Sequence, residues 1–137
     1  MSKLSEFRIG NENRKVSFNE TMQVKDGVEC DTYSFVDDDT QDLAIVRISK
    51  GFKTPLQRII QGNKTIEGFL EGAGTLKVRL ENGAIETYDF DSTAPAEEVE
   101  VKVGQTMQWA APNDADLVFY EICDPPYHDG RFEDLAE

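Results

Sequence analysis

The sequence predicts an all-β fold, a closed barrel or sandwich of short antiparallel strands. Three observations carry that reading. Apolar residues alternate with polar ones in several stretches: Leu76, Val78 and Leu80 against Lys77, Arg79 and Glu81, and Val99, Val101 and Val103 against Glu98, Glu100 and Lys102. Turn signals recur between such stretches, at Asp26-Gly27, Asn82-Gly83 and Pro112-Asn113-Asp114. No segment sustains a helical period of 3.6 residues.

At 137 residues the chain has the size of one domain. A chain of this length buries roughly two-thirds of its unfolded surface, enough for a core without staples. Residues 1–40 are expected to form an N-terminal arm and first strands, 40–127 the barrel core, and 125–137 a tail.

Taken in order, residues 1–15 read as a loose arm. Val16, Phe18, Met22 and Val24 are spaced in twos, a short strand or hairpin ribbon. Val28 to Val36 is rich in β-formers. The acids Asp37, Asp38, Asp39 and Asp42 lack the glycine and distal glutamate of a calcium loop and read as a solvated turn. Leu43 to Ser49 is a nearly continuous apolar run, a strand buried on both faces. Arg47 interrupts it, either snorkelling at the strand end or pointing into a polar cavity. Asn82-Gly83 is a hairpin signal, with Ala84 to Phe90 as the return strand. Asp91 to Glu97 is a loop, Thr106 to Ala110 a strand, and Leu117 to Ile122 the last strong strand. Pro125-Pro126 stops it. The tail carries Tyr127, Phe132 and Leu135, enough apolar surface to dock.

The stretch from Gly51 to Gly74 organises the rest: a tight entry turn, an extended segment, a Gly-Asn turn and a strand ending in a Gly-x-Gly corner. Its layout resembles the first motif of the cupins, which runs Gly, five residues, His-x-His, three or four residues, Glu, six residues, Gly. Gly51 fits the first glycine. Gln57 and Ile59 stand at the two histidine positions and Thr65 at the glutamate. The second cupin motif would start at Gly104, but Ala115 takes its histidine position and the segment is shortened. The resemblance covers residues 40–127 and implies a single-domain, cupin-type double-stranded β-helix, the jelly-roll barrel.

Metal-dependent cupins hold iron, manganese, zinc or nickel with three His and one Glu. Such metals take imidazole nitrogen and carboxylate oxygen, which Gln57, Ile59, Thr65 and Ala115 do not offer. The chain has a single histidine, His128. The expectation is therefore no metal and no cofactor. Family position and alternation put Thr65, Glu67 and Phe69 on the inner face, with Gln57 and Ile59 beside them. Trp109 lies on the strand entering the second motif. With Arg47 these residues form the candidate pocket for a small polar ligand, a sugar or organic acid. The alternative is a buried Glu67–Arg47 pair that only closes the core. Either Tyr120 or Glu121 must also point inward. Tyr127 and His128 would form an acid–base pair if the tail folded over the barrel mouth.

A net charge of −13 repels phosphate backbones and anionic membranes, so neither nucleic acid nor membrane is expected as a partner. The N-terminus lacks an apolar signal core, and no run approaches the roughly 20 residues of a membrane span. A cytoplasmic location follows as an expectation, with Cys30 and Cys123 as reduced thiols, although a disulfide is possible on paper. The resemblance also implies a homodimer. Two functions stand: a metal-free small-molecule-binding module, or a metal-independent sugar or nucleotide-sugar isomerase or epimerase.

Overall fold

The alternating stretches pair into two antiparallel sheets. The computed structural model describes residues 3–93, 97–127 and 130–136. In chain order the strands are β1 (Glu6–Ile9), β2 (Glu12–Lys25), β3 (Val28–Phe35), β4 (Asp38–Ile48), β5 (Gln57–Ile59), β6 (Lys64–Gly72), β7 (Gly74–Arg79), β8 (Ile85–Phe90), β9 (Glu98–Lys102), β10 (Thr106–Ala110), β11 (Leu117–Asp124) and β12 (Phe132–Asp134). The large sheet runs β1-β2-β3-β4-β11-β6-β9, and the small sheet runs β12-β5-β10-β7-β8. Among the described residues no helix is long and apolar enough to cross a membrane.

The main core fills the space between the sheets. The large sheet contributes Val28, Cys30, Val46, Ile48, Leu117 and Phe119, and the small sheet Ile59, Leu76, Val78, Met107, Trp109 and Phe90. A second apolar cluster covers the outer face of the large sheet, where Phe7 and Val16 pack on Tyr33, Leu43, Ile45 and Ile122. Two clusters explain the continuous apolar run of β4, since Leu43 and Ile45 face outward while Val46 and Ile48 face inward.

The arm is not loose. Residues 6–25 form a hairpin, and Phe7 and Val16 are buried at 8% and 5% exposure. Apolar spacing in β1 is too short to show a period, so its order depends on the tertiary surface it covers. Nor do Val16, Phe18, Met22 and Val24 share one face. A bulge between Phe18 and Glu20 breaks the alternation: Phe18 pairs with Tyr33 on the outer face, and Met22 pairs with Cys30 on the inner one.

The tail docks as expected. Strand β12 pairs with β5, and Leu135 N donates to Leu56 O. Arg131 locks it. This side chain is fully buried, its guanidinium donating to the carbonyls of Pro125, Lys64 and Asp124 at 2.8, 2.6 and 3.2 Å. At the Asn82-Gly83 hairpin only Gly83 takes positive φ, because the turn is longer than two residues: Gly83 N donates to Leu80 O, and Leu80 N to Ala84 O.

Candidate functional site

Strands β6 and β11 bring two carboxylates together. Glu67 and Glu121 are register partners across the pair, so their side chains leave the same inner face. This answers which residue of β11 points inward. Tyr120 faces out, stacks edge-on against Phe7 and donates to Glu98 at 2.5 Å.

Glu67 is wholly buried. Its Oε1 accepts the indole N–H of Trp109 at 2.8 Å, while Oε2 has no conventional donor. Burial pushes the Glu67 pKa well above the usual carboxylate range, and the charge of Glu121 pushes it further. Glu121 is also raised by burial, offset by its hydrogen bond to Glu67. The two carboxyls titrate as a linked pair, both held above the ordinary carboxylate range by burial. Trp109 is fixed by stacking on Phe119 at 4.3 Å and on Phe90 at 5.6 Å.

Further along the same face, Cys123 donates to Glu121 Oε1 at 3.5 Å. Asp42, the register partner of Cys123 on β4, accepts the Tyr127 N–H at 2.9 Å and is raised by burial. The positive charge of Arg131 acts on Asp42, Glu121 and Cys123 together. Both cysteines are free, and burial pushes Cys30 up to about 12.

In front of this buried group lies a cavity of about 480 Å³. Phe119 and Glu121 form its back wall, Cys30, Ala44 and Val46 one side, and Gln57, Phe132 and Asp134 another. Met22 and Val24 reach its rim because of the bulge in β2.

Of the expected pocket residues, Gln57 lines this cavity, where its Nε2 donates to Asp134 Oδ1 at 3.2 Å. Ile59, Thr65, Glu67 and Trp109 lie beneath the wall, at 2% exposure or less, and form its support rather than its surface. Phe69 packs in the core, stacked on Phe90 at 5.5 Å. Arg47 needs correction. It lies on the outer face of the large sheet, bonded to Asp31 at 2.9 Å and to Glu29, so it neither lines the pocket nor pairs with Glu67. Strand parity decides this, since Arg47 is the register partner of Glu29, whose neighbour Cys30 points inward. Sequence reasoning left Glu121 as one of two options and missed Arg131, whose burial nothing in the tail's composition signals. The Tyr127–His128 pairing lies outside the described residues.

No family model matches the chain, and no curated protein matches it significantly. Solved structures do. The capsular polysaccharide assembling protein CapF from Staphylococcus aureus superposes with a TM-score of 0.68 over 89% of this chain, at 17% identity. Oxalate decarboxylase from Bacillus subtilis superposes at 0.70 over 85%, at 18% identity. Both proteins are cupins. The fold is a cupin barrel. This cupin-like chain spans about a third of those proteins' lengths, 34% of the CapF chain and 30% of the oxalate decarboxylase chain. The oxalate decarboxylase has Mn(II) centres. The residues here do not fit such a centre. Gln57 is held by Asp134, Ile59 is apolar, and Glu67 spends one oxygen on Trp109. No group of three or more His, Cys, Asp or Glu placed to hold a metal occurs among the described residues.

Proposed function

We propose that this cupin barrel is a binding module for a small polar molecule, working without a transition metal. One observation carries the reading: a cavity large enough for such a molecule opens onto Glu121, which a buried, hydrogen-bonded Glu67 and Trp109 hold in place. Carboxylates in the wall favour a sugar over an organic acid, because a second carboxylate would be repelled. Free, buried cysteines fit a reducing compartment, here the cytoplasm. A thermal-shift screen of a metabolite library tests the module. A true ligand stabilises the fold by about 4 kcal/mol at a thousandfold excess over its dissociation constant. A library of sugars and polar metabolites that leaves the melting temperature unmoved refutes it. Elemental analysis after dialysis against chelator should find no stoichiometric iron, manganese, zinc or nickel.

The linked Glu67–Glu121 pair, with Glu121 on the cavity wall, favours a second reading, acid–base isomerisation or epimerisation of a sugar at Glu121. Solvent-deuterium incorporation into a bound sugar would separate the enzyme from the binder. We also propose a homodimer. Beyond its pairing with β1, the 17–25 stretch of β2 leaves one edge open among the described residues, and Phe18, Met22 and Val24 are exposed along it. Sedimentation at tens of micromolar checks it, and a pure monomer refutes it.

A further inference from the structure

The wall of the cavity also constrains the ligand's charge. Its charged lining residues are Glu121 and Asp134, and no Lys, Arg or His lines it among the described residues. The neighbouring cation, Arg131, directs its N–H groups at three backbone carbonyls and does not line the cavity.

Hydrogen-bonding capacity is equally one-sided. Gln23 commits its amide nitrogen to the carbonyls of Lys25 and Val28, and Gln57 commits an N–H to Asp134. Thr54 Oγ1 accepts the backbone N–H of Trp109 at 3.0 Å and lies 3.4 Å from the Trp109 carbonyl. The polar side chains that line the cavity are rich in acceptors, the Glu121 and Asp134 carboxylates and the amide oxygens of Gln23 and Gln57, against the hydroxyls of Thr54 and Tyr127. A ligand rich in acceptors would leave those oxygens unpaired, whereas an ammonium brings three donors and no acceptor. Aromatic rings complete the wall. Phe132 and Tyr127, stacked at 5.8 Å, both line the cavity, and aromatic faces attract cations. The net charge of −13 raises the local concentration of cations at the mouth.

We propose that the cavity selects a small organic cation, a protonated primary amine on a polar scaffold, with its ammonium taken by Glu121 and Asp134. This rests on the cavity being a ligand site at all. Three probes of one shape separate the two ideas: glucosamine, glucose and glucuronate, titrated at neutral pH into the ¹⁵N-labelled full chain while amide shifts are followed. Glucosamine should move the amides of Glu121, Gln57 and Asp134 and bind about tenfold tighter than glucose, as a charge-assisted hydrogen bond exceeds a neutral one. Glucuronate should leave them unmoved. Added salt should weaken glucosamine more than glucose. The double substitution Glu121→Gln with Asp134→Asn should bring glucosamine down to the level of glucose. Equal binding of glucose and glucosamine, or tighter binding of glucuronate, overturns the charge assignment while leaving the cavity as a binding site. Cavity amides unmoved by all three probes overturn both.

Discussion

Glu67 is the residue on which the interior turns. Its folded pKa lies above its unfolded value, so its contribution to stability is present below the unfolded value and is lost as pH rises through the folded one. Replacing Glu67→Gln keeps an acceptor for Trp109 and a donor for Glu121 and removes the titration. The variant should stand at or slightly above the parent near pH 5 and pull ahead as pH rises, by up to about 1.4 kcal/mol per pH unit across that window. Urea denaturation from pH 5 to 8 measures the difference, and a variant that loses ground as pH rises contradicts the assignment. Glu67→Leu should instead cost about 1–3 kcal/mol, because the buried indole N–H is left unpaired. Sequence alternation found Glu67, since strand parity is readable from period two. It did not find the partner. Arg47 was the nearest cation by composition, yet parity sends it outward, and the real neighbour is a second carboxylate that only the β6–β11 register reveals.

Two elements hold the barrel's shape through single residues. At the end of β6, Gly72 has φ +86°, and a Cβ there would lie 1.9 Å from the Asp116 carbonyl oxygen. Gly72→Ala should therefore cost more than the roughly 1 kcal/mol of a strained dihedral alone, since backbone must move. Strand β12 depends on Arg131. Replacing Arg131→Met strands three carbonyls and should cost about 2–4 kcal/mol, with faster hydrogen exchange at Phe132 and Leu135 than in the rest of the barrel. Unchanged exchange in β12 would show that its pairing with β5 suffices. Elements with clean alternation, β7 and β9, were legible because each has one face wet and one dry. Strands β1 and β2 were less so. Four residues show no period, and a bulge inverts parity midway without any glycine or proline to announce it.

Across the whole molecule two pH effects oppose each other. On the outer face, the hydrogen bonds of Arg47, then Thr21 and Lys3, hold the Asp31 carboxyl well below the usual range. A depressed folded pKa gives stability above the unfolded value, about 3.9, that is lost as pH falls. Glu67 and Glu121 act in the opposite direction above about 4.3. Self-repulsion among surplus acids, 27 against 14 basic residues, adds to the alkaline loss. Stability should peak near pH 5 rather than pH 7, and at pH 8 it should rise with added sodium chloride. A denaturation series over pH 3 to 9 at low and high salt reads both. A maximum at neutral pH, unmoved by salt, contradicts them.

The chain has one tryptophan, and its place gives the protein an optical reporter of its own. The Trp109 indole is bonded to Glu67 on one side and lies against Phe119, the cavity's back wall, on the other. Its emission should be blue-shifted in the native state. The same spectrum should shift when Glu67 ionises at high pH, and again when a guest molecule presses on Phe119. Unlabelled protein in a fluorimeter can thus reveal both proton and guest without any assay of turnover.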